Sequence, residues 1–567
     1  MTTPLYHAIA STRPLLRVGV LLDHWVSSAW IGEVLASVKA SGVAELTTVV
    51  LNQEHHSGNR QSRGGFGGFF EGRMTPLNTL LWRLYVRVDE IVRPFFATPF
   101  QPTNLEPLLA GANRIKVTPV RRDSIREFGA ADVQSVRDER LDVILRFGFN
   151  ILHGDVLEAA TYGVWSYHHG DNHEYRGGPA GFWEMYGENP LTGTILQILT
   201  EKLDAGRVIF RTQGATRSFE SLLVNRYWLY RKAIPFVSRC LRRVYEHGPA
   251  GLCPEPDRQG PLPPIRRTPR NSRMIRFLFR GLWRIMKERV RRLSGIKTGH
   301  WFLGVARDVT PGESLRGRVE PVYPPKGRFW ADPILTTRKG RPFLFFEDYD
   351  YRSGLGRISV SELDSQGRPG AVHAALEADH HLSYPFVFEW QGDHFMIPET
   401  ASVRAVQLFR AIDFPERWEF VKDLLTDVRA VDATLCEHEN SWYLFTSVSE
   451  SGGSSWDELF CFVSDSPLGP WLPHAMNPIV SDVRCARPGG PIFRQNGRLF
   501  RPAQNSAQLY GHSLTVMEIT ELTRQRFAER PAFDIEPDWL PGIRGCHTIT
   551  MAGDLVVLDC RTRKWLP

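Results

Sequence analysis

Ser166 opens the run Ser-Tyr-His-His-Gly-Asp at 166–171, which is followed closely by Arg176-Gly177-Gly178-Pro179 and further on by Leu203-Asp204-Ala205-Gly206. A histidine pair, an Arg-Gly-Gly-Pro turn and a distant Asp-x-Gly bring together polar side chains of the kind that do chemistry rather than fill a core. His168 and Asp204 are the residues of that type here, with His169 and Asp171 beside them. Glycines let backbone approach a ligand, and an arginine before paired glycines, Arg176 before Gly177, suits a carboxylate or phosphate. Such polar crowding after a buried strand is expected of an active-site floor. The competing reading makes His168 a core histidine satisfied by Asp204, Arg176–Gly178 a tight turn and Asp171 a turn residue.

The flanking sequence supplies elements to hold this run. Leu16–Leu22, Leu46–Leu51, Leu141–Phe147, Val164–Tyr167 and Gly193–Leu199 read as strands, and Ile31, Val34, Leu35 and Val38 keep helical spacing. Alternating strands and helices favour a parallel sheet covered on both faces. Phe219–Glu246 is helical in pattern, with a break or kink expected at Pro235, and the Gly- and Arg-rich stretch Glu54–Arg73 reads as a loop. The predicted division is an α/β domain at 15–247, a Pro/Arg-rich linker and basic amphipathic helix at 248–300, and an all-β domain at 301–567.

Within the all-β domain a single template recurs about every 50 residues, a period typical of propellers and solenoids. Its copies open at Phe329–Pro333, Leu382–Phe386, Ala430–Thr434, Cys485–Gly489 and Arg544–Thr548. Each continues through a polar turn into a second strand, ending in Phe346-Glu347, Pro398-Glu399, Phe445-Thr446, Arg501-Pro502 and Leu558-Asp559. Five small antiparallel sheets of this kind predict a five-bladed β-propeller. Asp332, Tyr384, Asp432, Arg487 and His547 then face one another across the central channel.

Charge and cysteines narrow the classes. The chain of 567 residues has net charge +7, and Arg273–Leu293 alone contributes seven Arg and one Lys against one Glu, 8 − 1 = +7. The remainder is close to neutral, so no nucleic-acid partner is expected. The basic segment, with Phe277, Leu278, Leu282, Trp283, Ile285 and Met286 interleaved, reads equally as a helix on an anionic membrane surface or as a connector. Seven scattered cysteines without a C-x-x-C pair argue against a disulfide framework and a metal site, and for a reducing cytosol. With no apolar leader or span read from the sequence, the expected location is cytoplasmic, at the periphery of an inner membrane.

Two resemblances follow. Tyr167-His168-His169-Gly170, Tyr175–Pro179, Gly187-Glu188, Thr192-Gly193 and Leu203–Gly206 resemble the formyltransferase N-terminal domain family over Leu15–Val244. That resemblance implies a Rossmann-like fold and N10-formyltetrahydrofolate as cofactor, with His168 and Asp204 as catalytic residues. It places Ser166 where the family has asparagine. From Gly304 to Asp559, Trp330–Pro333, Ser383–Phe388, Met396–Glu399, Asp432–Thr434 and Asp465–Trp471 resemble the N-terminal domain of glucosamine inositolphosphorylceramide transferases, related to five-bladed glycosidase propellers. Glycosidases of this shape use carboxylates from different blades, which suggests Asp332 and Asp432 with Glu399 or Glu347 as the acid.

The expectation drawn from both halves is an α/β Rossmann-like formyltransferase domain plus an all-β five-bladed propeller. The chain would formylate a nucleotide- or lipid-linked amino sugar in envelope glycan synthesis. His169, Asp171, Arg176 and Gly177 would line the binding site, and the propeller would recognise the glycan. Two alternatives stay open: a propeller-centred glycosidase or glycosyl-transfer enzyme with a degenerate formyltransferase half, and a non-catalytic glycan-binding scaffold.

Overall fold

The computed structural model describes residues 2–10, 13–53, 76–122, 124–256, 260–293 and 299–562, so the loop expected at Glu54–Arg73 lies outside the described residues. Two units divide the chain: Ile9–Arg284 with Ser451–Gly453, and Met1–Ala8 with Ile285–Glu450 and Ser454–Pro567.

In the first unit the strands of the main sheet are β1 Leu16–Leu22, β2 Ala44–Asn52, β3 Asn113–Val117, β4 Val143–Arg146, β5 Val164–His168, β6 Leu191–Ile198 and β7 Arg207–Ala215. They form one sheet in the order β7-β6-β5-β4-β1-β2-β3, parallel from β5 to β3 and antiparallel at β6 and β7. The α-helices are α1 Ala29–Ala40, α2 Leu80–Val92, α3 Ala130–Asp138, α4 Phe182–Gly187, α5 Leu222–Ala233, α6 Phe236–His247 and α7 Asn271–Leu293. Side chains alternate across a strand, so Val18, Val20 and Leu22 pack beneath α1 and α6 while Leu21 packs with Ile144 and α3. A strand covered on both faces has to be apolar throughout, which explains the unbroken hydrophobic runs. Pro235 separates α5 from α6.

Beyond the last turns of α7, which it takes from Ile285 onward, the second unit is built from β-strands. Four four-stranded antiparallel sheets follow one another along the chain at 328–376, 383–426, 430–473 and 493–535. A fifth sheet takes strands from both ends of this stretch, pairing β8 His300–Arg307 with a C-terminal strand at 555–562. The strands that matter for chemistry are β9 Arg328–Arg338, β10 Arg341–Asp350, β11 Ser383–Trp390, β12 Asp393–Glu399, β13 Ala430–His438, β14 Arg498–Asn505 and β15 Leu555–Thr562.

One irregularity repeats. The ladder slips between Ala331 and Ile334 in β9, between Ser383 and Phe386 in β11, and between Val431 and Thr434 in β13. Within each slip one residue takes a left-handed backbone: Asp332 at φ 51°, Tyr384 at 44° and Asp432 at 54°. Such bulges re-aim a side chain, and each left-handed non-glycine residue costs roughly 1–2 kcal/mol.

The fourth and fifth copies of the template depart from it. Arg487-Pro488-Gly489 forms no regular strand, and Pro488 makes only an isolated bridge to Ala503. Pro488 has no N–H for a ladder, and Gly490 sits at φ 137° where a Cβ would lie 1.9 Å from the Ile549 carbonyl. Cys546–Thr548 is likewise a loop between Ile543–Gly545 and Ile549–Ala552, because the N–H groups of His547 and Thr548 turn to the Asp559 carboxylate.

Candidate functional site

The histidine–aspartate pair of the α/β unit does come together, at the end of β5. His168 Nδ1 lies 3.4 Å from Asp204 Oδ1, and its Nε2 bonds the Tyr175 carbonyl at 3.0 Å. Burial works against charge on His168, but Asp204 and the Tyr175 carbonyl outweigh it and hold the pKa above the ordinary histidine value. Burial likewise opposes charge on Asp204, yet His168 and the Gly177 N–H at 2.8 Å hold its pKa down. His168 is buried and Asp204 half-buried, and both ring nitrogens of His168 are used.

The surrounding polar side chains are engaged as well, except that both ring nitrogens of His169 are buried without a hydrogen-bond partner among the described residues. Ser166 Oγ accepts from Arg146 Nε at 3.1 Å and Nη2 at 3.0 Å. Arg176 donates to the carbonyls of Pro263, at 3.3 Å, and Leu203, so its guanidinium closes a turn rather than holding an anion. Gly177 pairs with Arg266, and a Cβ there would stand 2.2 Å from the Arg266 carbonyl. Asp171 is held by Arg211 and by Gln213 Nε2 at 2.6 Å. His169 is stacked at 3.7 Å on Tyr230 with Trp30 edge-on, and burial followed by the His168 charge pushes its pKa well down.

This geometry commits the polar atoms around His168 to partners within the fold. A formyl oxygen would need the His168 Nε2 proton, which already bonds Tyr175, and the asparagine position is filled by a serine turned to Arg146. As arranged, this donor set offers no free N–H to a formyl oxygen of N10-formyltetrahydrofolate.

The all-β unit gathers a different set. Asp332 Oδ1 accepts from Thr548 Oγ1 at 2.7 Å and lies 3.7 Å from His547 Nε2, while its own N–H donates to Asp559 Oδ2 at 3.2 Å. Burial pushes the Asp332 carboxyl up to about 6. Asp432 accepts from Arg487 Nε at 2.6 Å and Nη2 at 3.2 Å, and from Gln504 Nε2 at 2.7 Å. Glu399 is 3.7 Å from Arg487 Nη2 and accepts from Ser383 Oγ at 3.4 Å. Burial, then the charge of Asp432, pushes Glu399 up to about 8. Glu347 stands 3.4 Å from His381 Nε2, and burial with Asp332 nearby raises its pKa well above the carboxylic range.

Aromatic rings back the cluster. Arg487 lies over Tyr510 at 5.1 Å, and His547 stacks on Trp301 at 4.2 Å. Burial opposes charge on His547, but Asp559 and Asp332 hold its pKa above normal. The Tyr384 hydroxyl is used structurally, bonding Thr434 Oγ1 at 2.8 Å and accepting the Gly490 N–H at 3.0 Å. Asp332, His547 and Asp559 bring ligand atoms within 4.8 Å of one another, a spacing compatible with a metal ion. The Asp559 oxygens, however, already clamp the N–H groups of Asp332, His547 and Thr548.

Comparison with known proteins bears on this second cluster. Residues 320–536 match the family model for the N-terminal region of glucosamine inositolphosphorylceramide transferase 1. That match takes in Asp332, Glu347, Glu399, Asp432 and Arg487. The rice (Oryza sativa subsp. japonica) protein of that name is 36% identical over 213 residues, covering 37% of this chain and 28% of the relative. The Arabidopsis thaliana protein is 34% identical over 205 residues, covering 35% and 27%. The chain therefore spans under a third of the length of the curated relatives it matches.

Similar solved structures include a thermostable family-43 glycoside hydrolase (TM-score 0.29, 13% identity, 36% of this chain and 76% of that one). Glycinamide ribonucleotide transformylase 1 of Symbiobacterium toebii gives a TM-score of 0.29 at 13% identity, covering 41% and 88%. A family 117 glycoside hydrolase of Zobellia galactanivorans gives 0.31 at 10%, covering 47% and 92%.

The relatives' name specifies a glucosamine transferase, which contradicts the expected formyl transfer with tetrahydrofolate. The expected cytoplasmic location at an inner membrane is corrected as well, since the relatives are plant proteins named for transfer to a ceramide lipid. No helix among the described residues is long and apolar enough to cross a membrane.

Sequence reasoning does not pick out Gln504, Tyr510, Thr548 or Asp559 as site residues. Asp559 carries a usable signal, since it closes the second strand of its repeat just as Glu347 and Glu399 close theirs. Tyr510 lies in a loop outside the template and carries none.

Proposed function

We propose that the chain is a glycosyl-transfer enzyme working from the carboxyl cluster of its all-β unit. We read that unit as a five-bladed propeller and the α/β unit as a formyltransferase-like fold that has lost the transfer chemistry. The observation that carries the proposal is the Glu399–Asp432–Arg487 arrangement. One carboxyl is kept protonated at neutral pH, and its neighbour is fixed by a buried guanidinium. Pairs of acids with pKa values driven apart are what glycosidic chemistry uses for acid and base.

In this reading Glu399 gives its proton to the leaving oxygen as the anomeric bond breaks. Asp332, ionised above about pH 6, takes the proton of the attacking acceptor hydroxyl. Asp432 holds Arg487 in place and offers an acceptor to sugar hydroxyls. The substrate class follows the relatives' name: an amino sugar, delivered from an activated donor to a lipid-linked inositol phosphate. The test is transfer of radiolabelled glucosamine from its nucleotide donor to such a lipid. Losing a general acid typically lowers rate ~10²–10⁴-fold, so Glu399→Gln should drop transfer by that order with the melting temperature retained. Undiminished transfer by Glu399→Gln overturns the assignment.

Arg487 at the centre of the cluster favours a second reading, a site that binds a glycan without turning it over, because its guanidinium is drawn to Asp432. Glycan binding by the wild-type chain with no transfer from any donor would decide for it.

A further inference from the structure

Helices α2 and α7 lie side by side. Asn271 accepts the Leu81 N–H at 3.1 Å and donates to the Leu77 carbonyl at 2.7 Å, and Tyr85 meets Phe277 edge-on at 5.4 Å. Each buries one stripe, Trp82 and Asp89 on α2 and Met274 and Phe277 on α7. An amphipathic helix normally turns polar residues to the other side. These two do not. Leu80, Leu84, Val88 and Ile91 on α2 are 48–65% exposed, and Ile275, Phe279, Leu282 and Trp283 on α7 are 57–69% exposed. Both sets keep the three- and four-residue spacing of a continuous helical stripe.

Charge says what fits there. Arg83 and Arg87 border the α2 stripe, Arg276 borders that of α7 while Arg280 turns to the Tyr186 carbonyl at 3.2 Å, and the α7 sequence carries a net +7. Apolar side chains flanked by guanidinium groups match an interfacial helix, whose apolar residues enter the acyl boundary while the cations meet headgroup phosphates. A second copy of the same face would set arginine against arginine.

We propose that α2 and α7 together form a docking surface for an anionic lipid bilayer. The sequence points only to the basic helix; the partner stripe on α2 emerges from the fold. The surface is independent of the transfer chemistry, and its variants leave transfer to a water-soluble acceptor unchanged.

The test is flotation of the full chain with vesicles of equimolar phosphatidylcholine and phosphatidylserine, against phosphatidylcholine alone. The wild-type chain should float with the anionic vesicles and lose binding at high salt. Leu84→Glu and Phe279→Glu, each at an exposed position, should each weaken binding about tenfold or more, because a large apolar contact is exchanged for a charge. Unchanged circular-dichroism melts would show that both variants fold. Flotation equal on neutral vesicles, flotation unaffected by Leu84→Glu, or a dimer that either variant dissociates would each overturn the proposal.

Discussion

Replacing Arg487 by methionine tests the centre of the all-β unit. The Asp432 side chain is 2% exposed and that of Arg487 9%, so the substitution leaves a buried carboxylate whose remaining side-chain donors are Gln504 and protonated Glu399. Breaking a buried pair by removing one partner costs about 3–5 kcal/mol, a large share of the ~5–15 kcal/mol that holds a typical domain together. Methionine fills much of the same volume, so the loss comes from charge rather than from a cavity.

The cost depends on pH in a defined direction. Without Arg487 the negative charge of Asp432 is buried and unpaired, and the cost of burying it is present only while that charge is present. A buried carboxylate stripped of its partner penalises folding as pH climbs past the ordinary unfolded value of ~3.9. Arg487→Met should therefore lie closer to wild type at pH 4.5 than at pH 7.5. Urea melts followed by tryptophan fluorescence, with the transition of the all-β unit resolved from that of the α/β unit, measure this. A loss under ~1 kcal/mol at neutral pH would show Arg487–Asp432 to be no more than a solvent-screened pair, and the account of the cluster would fail. A loss independent of pH would place its origin in packing instead.

The same cluster predicts the pH profile of transfer. Activity should rise as Asp332 loses its proton near pH 6 and fall as Glu399 loses its own near pH 8, and Glu399→Gln should remove the alkaline limb; steady-state rates across that range read both. In the α/β unit, His168→Asn should leave glucosamine transfer unchanged. It should still destabilise that unit by about 3–5 kcal/mol, since Asp204 keeps its half-buried charge without the imidazole; thermal melts and transfer rates together check the separation.

Strands of the α/β unit were legible because burial on both faces demands unbroken apolar runs such as Leu16–Leu22. The all-β repeats were legible because one template brings acids back at fixed offsets, first at Asp332 and Asp432, then at Glu347 and Glu399. What the sequence could not reveal was how each polar atom is used. His168 and Asp204 meet as their spacing suggested, yet whether Nε2 faces a cleft or the Tyr175 carbonyl depends on the loop at 170–175, whose path no local pattern dictates. Arg176 before paired glycines looked like an anion clamp and instead satisfies carbonyl groups. The apolar stripe of α2 went unseen because its spacing is that of any core-facing helix, and only the placement of Trp82 and Asp89 shows which side is inward.

Asp332, Tyr384 and Asp432 occupy the same kinked backbone socket in three consecutive sheets, and the socket holds an acid in two and a phenol in the third. Because the distortion belongs to the main chain, the group it presents can be exchanged without rebuilding the sheet around it. A scaffold made this way keeps its architecture while its central chemistry drifts, one interchangeable side chain per repeat.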